Sequence, residues 1–285
     1  MRLHFAFFNA LKAAIAKGTA PDCFGKHLHE VQGQDGLDDS AAVDILAMII
    51  AGGGHTTSSI LQAFFKIMAL HPEVAEKAQL ELDQVVGRNR LPTWEDKSRL
   101  PYMTSLIKEL HRCCGVGGLG VPHATTKDDF YRGRLIPKGA GVVPNLTAFH
   151  HDEQLYPNPD VFEPERFKED HLDSASSAIQ PDCINRDHFN YGFGRRLCPG
   201  IHMAEQSLYI VISRILWAFD IQKKAGSDLD MSAKSGGLIM KHEPFEINIQ
   251  SRGPMFSRIV QEASDRARLE AGLHAFEIDD VIVCK

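Results

Sequence analysis

The spacing of hydrophobic positions divides this chain into helical and extended stretches. Apolar residues at helical spacing predict a helix over 4–17, and a polar Gly/Asp-rich stretch near 32–39 follows it. Asp38-Asp39-Ser40 can cap the next helix, which runs from about Ala41 to Leu70 and is apolar on more than one face. Pro72 suits a first helical turn, and strong helix formers continue from Glu73 to Val86, ending at Gly87. Pro101 opens another helix, through Arg112. Then the period shortens. Val121 to Thr126, Phe130-Tyr131 and Gly141 to Pro144 read as short strands around the turn Pro137-Lys-Gly139. Residues 150–187, rich in Pro, Asp and Ser, read as ordered loop. An apolar helix spans Ile201 to Phe219, Gly236-Gly237 with Phe245 to Ile249 predict a terminal hairpin, and 256–272 read as a charged helix. The fold class is mainly α with small β-sheets: a single portion over 1–252, then a charged helical tail over 253–285.

Three segments carry residues that packing alone does not require. The first is Phe189-Asn-Tyr-Gly-Phe-Gly-Arg-Arg-Leu-Cys-Pro-Gly200, which sets Cys198 in a glycine-rich loop directly before a helix. At a helix N-terminus, unpaired N–H groups and the macrodipole stabilise a thiolate. Gly192, Gly194 and Gly200 lack a Cβ, so the backbone can turn sharply and lie against something flat. Arg195 and Arg196 offer charge to an anionic group. Anionic sulfur, a flat neighbour and a carboxylate partner together point to haem held by a proximal cysteine. An ordinary Cys-Pro-Gly turn leaves the glycines and the arginine pair unexplained.

The second segment, Glu109-Leu-His-Arg112, puts an acid and a base three apart on one helix face. Alone it carries no weight, because such pairs are common. The third, Ala51-Gly-Gly-Gly-His-Thr-Thr-Ser58, places three glycines inside a helix, each costing roughly 1 kcal/mol relative to alanine. A widened helix there leaves room for a ligand or water.

Composition narrows the partners. With 31 basic against 37 acidic residues, net charge −6 and no long basic run, nucleic-acid binding has no electrostatic footprint. The six cysteines (23, 113, 114, 183, 198, 284) lack paired metal-site spacing, and they read as reduced thiols rather than a disulfide framework. Cys113-Cys114 with His111 and His123 have the wrong spacing for zinc. No apolar run reaches the length of a membrane span. Residues 1–17 are apolar, basic and free of acids, like a targeting helix, and read here as an internal amphipathic helix.

Together these motifs resemble the cytochrome P450 family of haem-thiolate monooxygenases. The family's haem loop, aromatic-x-x-Gly-x-Arg-x-Cys-x-Gly, is matched by Tyr191, Gly194, Arg196, Cys198 and Gly200. Its first position is usually Phe; Tyr191 adds a hydroxyl that needs a partner where it is buried. The resemblance implies that Cys198 ligates the iron of haem b. It also implies that Arg196 and His123, in Leu119-Gly-Val-Pro-His-Ala-Thr125, contact the haem propionates. It joins Glu109 and Arg112 to Arg166, from Pro164-Glu-Arg-Phe167, in a buried ionic triad that locks the proximal loop. Thr56 falls on the threonine that bonds dioxygen and relays protons, and His55 stands where an acid is usual. Val116 and Leu119, with Leu238 and Ile239 of the terminal hairpin, would line a pocket for a bulky apolar organic substrate. Gly115, Gly117 and Gly118 stand where relatives often carry prolines and imply a looser wall.

The implied activity inserts one oxygen atom of O2 into that substrate, with electrons from NADPH through a separate NADPH-cytochrome P450 reductase. The loop and the Pro-His-Ala style are most like microsomal fungal enzymes of secondary metabolite biosynthesis. The resemblance runs from near Met1 to about Arg252 and corresponds to the C-terminal portion of such an enzyme. It therefore predicts a P450-like fold lacking its N-terminal portion, from a truncated gene model, an alternative start or a decayed gene. The membrane anchor of endoplasmic-reticulum relatives would be absent, leaving a cytoplasmic chain, and helices 41–70 and 201–219 would lack covering partners. Two alternatives stay open: an inactive haem-binding or interaction fragment, and a haem-thiolate isomerase or dehydratase. Retention of Thr56 argues against the second.

Overall fold

A computed structural model describes residues 2–231, 234–235, 237 and 239–270. The chain divides into two units, Met1–Thr56 and Thr57–Lys285. In the first, α1 (Arg2–Ala16) and α2 (Phe24–Val31) precede α3 (Asp39–Leu70), whose first part belongs to this unit. Phe8, Leu28, Ala42 and Val43 are buried together, with Phe5, Leu11 and Leu46 packed against them. Asp38 caps α3 as its sequence predicts, its Oδ1 accepting the Ala41 N–H at 2.8 Å. Helix α2 is not legible in the pattern, because only two of its turns exist and Leu28 is its one large buried side chain. Gly25 admits Leu11 to this helix: a Cβ there would lie 2.8 Å from Leu11 Cδ2.

The second unit is built on the rest of α3, α4 (Pro72–Val85), α5 (Pro101–Cys113), α6 (Leu146–His150), α7 (Ser174–Ala178), α8 (Ile201–Ala218) and α9 (Pro254–Glu270). Its core interleaves Ile60, Phe64 and Met68 of α3 with Ala78 and Leu82 of α4, Met103, Leu106 and Leu110 of α5, and Leu208, Ile212, Leu216 and Trp217 of α8. Burying each large side chain contributes about 1.5–3 kcal/mol. Helix α4 ends where Gly87 adopts φ +78°, and the Gly87 carbonyl accepts the buried indole N–H of Trp217 at 2.7 Å.

The sheets are small. Strand β1 (His123–Ala124) pairs with β4 (Gly141–Val142), enclosing the hairpin of β2 (Asp129–Tyr131) and β3 (Arg134–Ile136). After α8, β5 (Phe219–Lys223) pairs with β8 (Ile247–Ser251), and β6 (Lys234–Ser235) with β7 (Lys241–His242); all pairs are antiparallel. The predicted terminal hairpin is corrected in part: β6 does pair with the next strand, β7, but the 245–249 stretch is not its partner. The 245–249 stretch joins β5, with Ile221 opposite Ile249, because β5 leaves α8 already extended and presents Ile221 to the core. The predicted loop 150–187 carries α7 and 3-10 turns at Pro164–Phe167 and Cys183–Asn185. The first turn of α9 is part of the core, with Phe256 edge-on to Trp217 at 4.7 Å between ring centres. No helix among the described residues is long and apolar enough to cross a membrane.

Candidate functional site

Residues 189–198 fold back on themselves. The Gly192 N–H donates to the Phe189 carbonyl (3.0 Å), Leu197 to Gly194 (3.1 Å), and Cys198 to Tyr191 (2.8 Å). Gly192 and Gly194 take φ +83° and +56°, which side chains rarely tolerate. Gly200 is the N-cap residue of α8 and brings no side-chain cap, so the first N–H groups of the helix stay available. Cys198, half-buried, rests with Leu197 against Ala175, Ala178 and Ile201. A Cβ at Gly200 would lie 3.9 Å from its Sγ, and Arg195 and Arg196 are exposed. A soft, partly exposed sulfur at a helix N-terminus, in a loop that also carries two exposed arginines, fits haem iron and its anionic propionates.

Glu109, Arg112 and Arg166 are brought together. Both carboxylate oxygens of Glu109 accept from Arg112, each at 2.7 Å, and neither side chain is exposed. Arg166 Nε lies 3.5 Å from Glu109 Oε2, while its terminal nitrogens donate to the Pro157, Asn158 and Val161 carbonyls. Arg112 also donates to the carbonyls of His150 and Pro159, both at 2.8 Å, and to Cys113 Sγ. Burial opposes the Arg112 charge; the Glu109 carboxylate outweighs it, and the guanidinium pKa rises. Burial, then the nearby Glu109 charge, pushes the Cys113 thiol well above its usual range.

Between this triad and the Cys198 loop lies a buried polar cluster that the motifs did not reveal. His150 Nε2 accepts the Phe189 N–H at 2.9 Å, so the residue whose carbonyl Arg112 holds also holds the start of the loop. Asp187 accepts from Ser174 Oγ (2.8 Å) and from the His188 N–H (2.7 Å), with buried Lys108 at 3.8 Å. His111 stacks on His188, ring centres 4.4 Å apart. Burial holds all three histidines below their usual pKa, His150 at about 3, so they are neutral. The hydroxyl that the sequence marks on Tyr191 has His111 Nε2 as its partner, at 3.2 Å. Residues 111 and 191 stand eighty positions apart, so only the need for a partner was legible.

The other predicted residues are less gathered. Thr56, half-buried, donates its hydroxyl to the Gly52 carbonyl at 2.7 Å, and His55 is exposed. The helix stays regular through Gly52–Gly54 rather than widening, which corrects the expectation: glycine permits a bulge but does not impose one. Val116 is half-buried and its carbonyl accepts the Met240 N–H at 2.8 Å, tying it to the residue after Ile239, in the connection between β6 and β7. Leu119 is exposed, and Leu238 lies outside the described residues. His123 is exposed on β1. No hydrogen bond or ring contact among the described residues links His123, Leu119 or Ile239 to the Cys198 loop.

The looser wall expected from the glycines is also corrected. A Cβ at Gly115 would lie 2.7 Å from Asn190 Oδ1, one at Gly118 3.1 Å from Thr147 Oγ1, and one at Gly120 2.4 Å from Pro144 Cγ. Of the three glycines read as a looser wall, Gly115 and Gly118 thus have close side-chain neighbours rather than open space beside them.

Comparison with known proteins agrees with the motifs. The family model described as Cytochrome P450 matches residues 19–249. Cytochrome P450 monooxygenase polD of Polytolypa hystricis is 54% identical over 262 residues, covering 92% of this chain and 51% of that protein. Cytochrome P450 monooxygenase patI of Penicillium expansum is 39% identical, covering 82% of this chain and 44% of that protein. A zebra fish cytochrome P450 solved with abiraterone superposes with a TM-score of 0.67 at 26% identity, over 76% of this chain and 49% of that one. The chain spans about half the length of the curated relatives it matches. With the Cys198 loop, the Glu109–Arg112–Arg166 cluster and a mainly helical fold in place, the chain belongs to the cytochrome P450 family.

Proposed function

We propose that this chain carries the haem-thiolate centre of a monooxygenase acting on an apolar organic substrate in secondary metabolism. Family membership implies haem as the cofactor, and bound haem would supply the chemistry of oxygen activation. The observation that supports this reading most is the position of Cys198: half-buried, its N–H on the Tyr191 carbonyl, at the uncapped start of α8.

Each residue then has a task. Cys198 supplies the sulfur ligand at the start of α8. Gly192, Gly194 and Gly200 let the backbone lie close to a flat group, and Arg196 and His123 take its carboxylates. Glu109, Arg112 and Arg166 lock the proximal loop. Thr56 holds a proton at its Oγ1 and passes it on, with His55 as the next carrier. Val116, Leu119, Leu238 and Ile239 orient the substrate and exclude water. Electrons come from NADPH through NADPH-cytochrome P450 reductase at the endoplasmic reticulum membrane.

A second reading, haem binding or partner association without turnover, is favoured by the exposed Met48, Ile49 and Ile50. Product analysis with and without NADPH and reductase separates the readings. Oxygenated product only with both supports the monooxygenase. Product without either indicates an isomerase or dehydratase, and bound haem without product indicates the second reading.

A further inference from the structure

Four features at the junction of α5 and the Cys198 loop fit one another: His111, Gly115, Asn190 and the Tyr191 hydroxyl. The Cys198 N–H donates to the Tyr191 carbonyl at 2.8 Å, so the placement of residue 191 sets where the sulfur-bearing residue begins. Beside it, Asn190 donates Nδ2–H to the His111 carbonyl, and the same amide nitrogen lies 3.3 Å from His111 Nδ1. An amide nitrogen only donates, so Nδ1 is the lone-pair nitrogen and the imidazole proton sits on Nε2. Flipping the amide would press two acceptors together at the His111 carbonyl, which fixes the orientation. His111 Nε2–H therefore donates to the Tyr191 oxygen at 3.2 Å.

Gly115 is the opening through which Asn190 enters, since a Cβ would lie 2.7 Å from its Oδ1. His188 covers a face of the His111 ring, with an interplanar angle of 20°, and also contacts Tyr191 at 5.3 Å between ring centres. Both His111 and Tyr191 are buried, so water cannot stand in for either partner. A phenylalanine at 191 would leave the Nε2–H with no acceptor.

We propose that His111, Asn190 and Tyr191 act as linked positioning residues for Cys198, registering the thiolate loop against the C-terminal turn of α5. Gly115 is the small residue that this link requires. The proposal rests on reading Cys198 as the ligand, but its test does not need haem. The alternative is that the four residues only fill space.

The test is the rate at which iodoacetamide alkylates Cys198 in the haem-free chain, resolved by peptide mass analysis. Buried Cys114 in the same sample reports general loosening. Tyr191→Phe restores the family's usual ring and loses only the hydroxyl, so it is the mildest break of the link, and the Cys114 rate reports whether the fold is kept. We expect the Cys198 rate to change about five-fold, the factor that one lost hydrogen bond corresponds to, with Cys114 unchanged. His111→Leu should do the same, and the double variant should add nothing further, because the link is already broken. Rates within two-fold of the parent for both single variants would overturn the proposal. So would single effects that multiply in the double variant, or Cys198 and Cys114 shifting together. Failure of the haem reading would leave these labelling results unchanged, so the two remain separable.

Discussion

Arg112 makes hydrogen bonds to a carboxylate, a thiol and three carbonyls while fully buried. A guanidinium in that position is tolerable only while Glu109 answers its charge. Glu109→Ala would leave the cation uncompensated, and we expect a loss of ~3–5 kcal/mol in urea unfolding. Arg166→Ala should cost clearly less, because Arg166 approaches Glu109 at 3.5 Å and most of its bonds go to carbonyls at the loop surface. Equal losses for the two variants would contradict this ordering. The charged trio was legible because Glu109-x-x-Arg112 and Pro164-Glu-Arg-Phe167 are short local patterns. The carbonyls of His150, Pro159 and Val161 were not, since they reach Arg112 from 38 to 49 positions away. Tyr191 falls between these cases: its hydroxyl announced a need, and the fold supplied His111.

At the level of elements, long periodic helices were read within about two residues of their ends, as α3 and α8 show, because capping and burial both leave marks in sequence. Short elements leave too few turns for a period to show: α6, five residues long and capped by Asn145 Oδ1, which accepts the Ala148 N–H at 3.0 Å, was missed. Helix α9 tests how far its first turn belongs to the core. Phe256→Ala removes the ring that packs on Trp217 and should cost about 3–5 kcal/mol. Limited proteolysis would then cut near Pro254 before other sites, and an unchanged digestion pattern would contradict the packing. The junction of α5, α6 and the Cys198 loop makes a second prediction, about pH. Burial, followed by the Arg112 charge, lowers the His150 pKa from 6.5 to about 3, and His111 and His188 are lowered likewise. The unfolded chain therefore takes up these protons first as pH falls. Stability is full above about pH 6.5 and declines below it, by up to about 1.4 kcal/mol per pH unit for each histidine. Urea midpoints should fall between neutral pH and about pH 5, before carboxylates titrate; a flat profile over that window would contradict neutral buried histidines.

For the whole molecule, the central fact is that one chain holds a cysteine loop, an ionic triad and a helical core of the P450 kind within about half the length of its relatives. The first unit, residues 1–56, carries exposed Leu3, Phe7, Met48 and Ile50, and surfaces of that kind invite association. Dilution of the purified chain should shift its sedimentation toward lower mass, and a concentration-independent profile would contradict association through them. Class and Cys198 loop were legible because they are local sequence patterns, whereas the buried histidine cluster depends on the complete fold. The most direct test of the account is the carbon-monoxide difference spectrum of the reduced, haem-loaded chain beside its Cys198→Ser variant. The account predicts the long-wavelength thiolate band from which the family takes its name in the parent chain, and its loss in the variant. The same band in both proteins would contradict it.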